Sequence, residues 1–105
     1  MFKIINQINE GVESIKLTNY QSYSLLLIFS SPTTELALEY INSSEKLIEA
    51  TAFLKKMNLI NYSPNGYNIN NSGKSVLEFN GFIDQNENLT PKGKQLLNVK
   101  AAVLK

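Results

Sequence analysis

TTELALEYINSSEKLIEATAFLKKMNLINYSPNGYNIN, residues 33–70, reads in order as helix, tight turn, helix, strand, turn and strand. The first helix, about 32–40, has Ser31 as its cap and Pro32 in its first turn, where a missing N–H costs nothing. Leu36 and Tyr40 are its expected buried residues, with Ala37 at a helix contact. Asn42-Ser43-Ser44 makes the turn; Asn42 is the expected cap, and Glu45 three residues on completes a capping box. The next helix runs to about Met57, with Leu47, Ala50, Thr51, Leu54 and Met57 on its inner face. Residues 59–62 and 67–70 read as short strands, and Ser63-Pro64-Asn65-Gly66 as the turn between them, with Gly66 free to take positive φ.

The flanks read as supports. Phe2, Ile5, Ile8, Val12 and Ile15 recur at helical spacing, which predicts a helix over 2–17 that packs on the core or on a second subunit. Thr18-x-x-Gln21 is a capping-box pattern opening a helix that ends at Ser30-Ser31-Pro32. Leu25 to Phe29 is apolar almost all round, so this helix is the expected buried centre. Beyond the first hairpin the sequence echoes itself. Leu59-Ile60-Asn61 leads to Ile69-Asn70-Asn71-Ser72-Gly73-Lys74-Ser75-Val76-Leu77, and Phe82-Ile83-Asp84 to Leu89-Thr90-Pro91-Lys92-Gly93-Lys94-Gln95-Leu96-Leu97. Each unit is strand, turn, strand, helix, with Asn70 or Thr90 as the helix cap and Pro91 at a first helical position. The last helix is expected over 91–104, a second candidate for dimer contacts.

A chain of 105 residues is long enough for one core, so residues 1–105 are read as one domain of the α+β class, mainly α with small β hairpins. Its parts are an N-terminal helix (1–17), the helix pair with its hairpin (18–70), and a C-terminal helix, small hairpin and last helix (71–105). With no Cys and no His, there are no disulfides, thiolate nucleophiles or imidazole acid–base groups, and the usual zinc ligands are missing. The glycines show no phosphate-loop spacing. No catalytic residues, cofactor or metal are expected, and the chain reads as a non-enzyme. Glu45 and Glu49 are the one paired-acid arrangement on a helix face, and such a pair is more often solvated than catalytic. The five tyrosines read as core and strand residues rather than stacking platforms. The longest apolar run, Leu25 to Phe29, has five residues, and the start MFKIINQINEG lacks a signal-peptide core. The expectation is a cytoplasmic protein, bacterial, archaeal or phage-encoded, with no membrane partner.

Net charge is only +1, but residues 1–54 hold three Lys against six acids, and 55–105 hold seven Lys against three. The second half therefore leans toward a polyanion. Every basic residue is Lys, so the usual bidentate reader of guanine is missing.

Leu17-Thr18-Asn19-Tyr20-Gln21, Leu36-Ala37, Leu54-Lys55-Lys56-Met57-Asn58-Leu59-Ile60 and Leu89-Thr90-Pro91-Lys92-Gly93-Lys94, in that order, resemble the winged helix-turn-helix proteins, in phrasing closest to MarR-like transcriptional regulators. The resemblance covers about 17–97 and implies a homodimer that binds double-stranded DNA, with helix 43–57 in the major groove and the hairpin as a wing. It places Ser43, Ser44, Glu45, Lys46, Ile48, Glu49 and Ala52 on the base-reading face. Thr33, Thr34, Lys55, Lys56 and Lys74 go to the backbone, and Asn65, Gly66 and Asn68 to the wing tip. Two features depart from that pattern. Glu45 and Glu49, one turn apart, would face phosphates, and Ile48 and Ala52 form an apolar pair on the same side. The alternative is a winged-helix module that docks on a protein partner through that face and binds no DNA of its own.

Overall fold

A helix without a polar side must be wrapped by other elements, and that is the place α1 (Asn19–Ser30) takes. The computed structural model describes residues 15–30, 41–63 and 66–98. After α1 come α2 (Glu45–Lys56), β1 (Ile60–Ser63), β2 (Gly66–Ile69), α3 (Asn71–Phe79) and α4 (Pro91–Asn98). The described chain is thus mainly helical with one small antiparallel sheet. Helix α1 touches α2, β2, α3 and α4. Leu25 and Leu26 are fully buried on it, and the core closes around them with Ile41, Leu47, Leu54, Leu59, Val76 and Leu77. The expected helices over 32–40 and most of 2–17, and the last turns after Asn98, lie outside the described residues.

Helix α1 starts as its capping box requires. The Thr18 N–H donates to Gln21 Oε1 at 3.1 Å, and the Gln21 N–H to Thr18 Oγ1 at 3.2 Å. Helix α2 does not start as expected. Ile41 and Asn42 are helical, so the turn is displaced and Ser44, not Asn42, is the cap. The Ser44 hydroxyl accepts from the Leu47 N–H at 3.4 Å. The inner face of α2 is the expected one: Leu47, Ala50, Thr51 and Leu54 are buried and Met57 half-buried. One polar link crosses the α1–α2 contact. Thr51 Oγ1 donates to the Leu47 carbonyl at 2.7 Å, which uses its only proton, so Ser24 Oγ donates to Thr51 Oγ1 at 2.5 Å.

The hairpin pairs Ile60 with Ile69, Asn61 with Asn68, Tyr62 with Tyr67 and Ser63 with Gly66. Its strands sit one residue away from the expected 59–62 and 67–70, because Leu59 belongs to the end of α2 and Asn70 to the start of α3. Gly66 has φ 115°, as a turn glycine should.

The echo in the sequence is an echo in bonding. Helix α2 ends with Asn58 in the left-handed region at φ 59°, donating to the Lys55 carbonyl, while Leu59 N–H reaches the Leu54 carbonyl. Helix α3 ends with Gly81 at φ 82°, donating to Glu78, while Phe82 N–H reaches Leu77. Both are Schellman ends. The following cap then ties back. Asn70 Oδ1 accepts from the Gly73 N–H at 2.9 Å, and its Nδ2 donates to the Asn58 carbonyl at 2.6 Å. Thr90 makes both bonds with one hydroxyl, accepting from Gly93 N–H at 3.2 Å and donating to the Gly81 carbonyl at 2.5 Å. Helix α3 closes the first unit and opens the second. The second hairpin is smaller than expected: it keeps one bridge, Ile83 to Leu89, because Asp84 turns the chain early. Its carboxylate accepts from the N–H groups of Asn86 (2.8 Å) and Asn88 (3.0 Å).

Residues 15–18 are not helical, so the expected N-terminal helix does not reach 17. Asn80 holds them instead: Leu17 N–H donates to Asn80 Oδ1 at 3.2 Å, and Asn80 Nδ2 donates to the Ile15 carbonyl at 2.9 Å.

Glycine is required at both close approaches. A Cβ on Gly73 would lie 2.3 Å from the Leu59 carbonyl oxygen, and one on Gly93 2.2 Å from that of Phe82. Gly73→Ala and Gly93→Ala should each cost about 1–3 kcal/mol, as overpacking against backbone does, read as a lower urea midpoint. Thr51→Val should cost about 1–3 kcal/mol by leaving the Ser24 proton unpaired, and Ser24→Ala combined with Thr51→Val should recover most of it in the same measurement.

Candidate macromolecule-binding face

Helix α2 has a buried side and a free one. Glu45, Lys46, Ile48, Glu49, Ala52, Lys55 and Lys56 are all exposed. Ile48, Ala52 and Lys55 follow one another at four and three residues, so they form a single stripe along the helix. Ile48 is 45% exposed, unusual for its size, while its neighbour Leu47 is fully buried. The polar ends of α2 suit its dipole, with Glu45 in the first turn and Lys55 and Lys56 in the last. Ser43 is exposed in the turn before the helix, and Ser44 is half-buried in its capping role.

The hairpin continues this stripe. Tyr62 lies on the same face of β1 as buried Ile60, but two residues further out, past the edge of the core. It is 62% exposed. The Lys55 ammonium stands 4.8 Å from the centre of its ring, and the Tyr67 ring packs against it at 5.1 Å, tilted by 54°. Burial, with Tyr62 as a lesser cause, raises the Tyr67 phenol above its ordinary pKa. Tyr62 is therefore a strand residue but not a core one. The register that puts it in line with Ile60 was readable; that the strand outruns the core was not.

The expected contact residues do not all come together. Asn68 is exposed on the hairpin, opposite Asn61 and on the other face from Tyr62. Asn65, Thr33 and Thr34 lie outside the described residues, and Gly66 is buried. Lys74 sits on α3 and is tied to Glu87 of the second turn at 2.8 Å. Both side chains are substantially exposed, so this pair adds little stability, but Glu87 competes with an outside anion for Lys74. Lys92 is also engaged, donating to the Asn80 carbonyl at 2.7 Å with Phe82 below it at 4.7 Å. Lys94 is exposed.

Two hollows border these elements. One, about 180 Å³, lies between the start of α1 and α2, with Thr18, Gln21, Lys46 and Glu49 in its wall. The other, about 250 Å³, is lined by Asn19, Phe82, Lys92, Gln95 and Leu96. Among the described residues no group of acids, His or Cys could hold a metal ion, and no helix is long and apolar enough to cross a membrane. Comparison with protein-family models, curated proteins and solved structures gives no match.

The two sides of α2 should respond oppositely to the same charge. Leu54→Asp buries an unpaired carboxylate and should abolish the cooperative melt, whereas Ile48→Asp should melt within a few degrees of wild type, by circular dichroism.

Proposed function

We propose that this protein is a winged helix-turn-helix, MarR-like regulator of transcription that binds double-stranded DNA as a homodimer. Helix α2 enters the major groove, and the hairpin after it is the wing. The observation that carries the reading is a distribution of charge on an exposed face. From Ala50 to Leu77 there is no acid, while Lys55 and Lys56 are exposed where α2 meets the hairpin. A helix with one side anchored in a core and the other open fits a groove about 12 Å wide. In this arrangement Ser43, Lys46, Ile48 and Ala52 face base edges, the two apolar residues against thymine methyls. Lys55 and Lys56 take phosphates, and Asn68, with Asn65, lies along the wing. Glu45 and Glu49 accept from cytosine N4 or exclude sequences that lack it. Dimer contacts fall to the N-terminal segment 2–17, to the last helix expected over 91–104, or to both.

A second reading has a specific observation in its favour. Ile48 and Ala52, open to water and rimmed by Glu45 and Glu49, also make the apolar centre of a protein-docking face. On that reading the same helix binds a polymerase, a nuclease or another regulator, and DNA not at all. Both readings make the protein a binding module and not an enzyme.

Polarisation of labelled duplexes at low salt separates them. The DNA reading expects binding below about 100 µM, the range of non-specific binders. It also expects Lys55→Gln with Lys56→Gln to flatten the plot of log affinity against log salt by about 1.8. Wild type that leaves the duplex free, together with a protein partner lost in Ile48→Asp, selects the docking reading.

A further inference from the structure

The hairpin of this protein has no cation of its own. Among the described residues Ile60–Ser63 and Gly66–Ile69 carry only apolar and neutral polar side chains. A wing that meets a polyanion must then do so in another way, and Tyr62 is the one large side chain on it that stands open to water. Its ring is not a free stacking surface, because Lys55 stands over its centre at 4.8 Å and Tyr67 is packed against it at 5.1 Å. What it offers outward is its hydroxyl, a neutral donor, beside an ammonium held in place by the ring beneath it.

We propose that the Tyr62 hydroxyl and the Lys55 ammonium together hold one phosphate of a DNA backbone, at the junction of α2 and the hairpin. The proposal rests on the DNA-binding reading above and adds to it where the wing touches and by what chemistry. The pairing of donors suits a phosphodiester, which offers two oxygens to two donors on one group. The surroundings suit it as well. The nearest acids in sequence are Glu49, two turns back along α2, and Glu78, near the end of α3. Lys56 is exposed beside the pair for a neighbouring phosphate. The contact is half ionic and half neutral, and the two halves respond differently to salt. Only a cation that displaces counterions steepens the salt dependence; a phenol adds affinity without adding slope.

The test is a polarisation titration of one labelled duplex at several salt concentrations, with wild type, Tyr62→Phe, Lys55→Gln and the double variant. Tyr62→Phe keeps the ring that holds Lys55 and removes only the hydroxyl. It should weaken binding on the order of tenfold at every salt concentration, with the slope unchanged, as loss of a hydrogen bond to a charged group does. Lys55→Gln should weaken binding and lower the slope by about 0.9. The double variant should lose less than the product of the two single losses, because both donors serve one phosphate. If wild type binds and Tyr62→Phe follows it at all salt concentrations, the hydroxyl contact is overturned while DNA binding stands. If the two losses multiply in full, a shared phosphate is overturned. If wild type does not bind duplex at low salt, the functional reading falls and takes this contact with it, which leaves Tyr62 to a protein partner.

Discussion

The tie between each helix cap and the end of the helix before it governs this molecule. One side chain, Asn70 or Thr90, accepts from a glycine N–H in its own helix and donates to the left-handed residue that closes the previous one. The distance between the end of one helix and the start of the next is thereby set by two hydrogen bonds rather than by the chain between them. The glycine one turn into each helix lets it approach the carbonyl of Leu59 or Phe82. With α3 shared by both units, the position of the hairpin beside α2 follows from the first tie, and the position of α4 against α1 from the second. The polar atoms involved would otherwise be orphan groups at helix ends, so the arrangement also answers what caps and helix ends require.

Much of this was legible in the residues because it is local. The capping box of Thr18 and Gln21, the caps at Asn70 and Thr90, Pro91 in a first turn and the inner face of α2 each depend on neighbours within one or two turns. What was not legible depends on where an element stops relative to the rest. Asn42 carries a good cap side chain, but Ile41 and Asn42 are themselves helical, so the cap falls to Ser44. The second hairpin contracted to a single bridge because Asp84 bonds two N–H groups ahead of it and bends the chain. Residues 15–17 have helical spacing, yet Asn80 draws them into a peptide-like pairing. Tyr62 has the alternation of a buried residue on a strand that extends past its core.

The candidate face shows the same limit for charge. Counted along the chain, the second half has a surplus of lysine. In space, Lys74 is turned to Glu87 and Lys92 to a carbonyl, so on the side of the candidate face the surplus contracts to Lys55 and Lys56 at the end of α2, with Lys94 exposed on α4. The acids at the other end of α2 have a structural reason as well as a functional one, since Glu45 in the first turn complements the helix dipole. The outcome is a helix graded from acidic to basic, with an apolar stripe along the middle. The end nearest the hairpin is the one that carries the DNA-binding proposal.

The two units differ in a way that bears on how such a chain can change. From Leu59 to Asn70 is eleven residues, and from Phe82 to Thr90 eight, yet the bonds at either side are the same. The intervening loop is thus decoupled from its anchor points: spans that differ by three residues close between the same bonds. New reach on that side of the molecule can be acquired by lengthening a span whose ends are already fastened, leaving the frame beneath it unaltered.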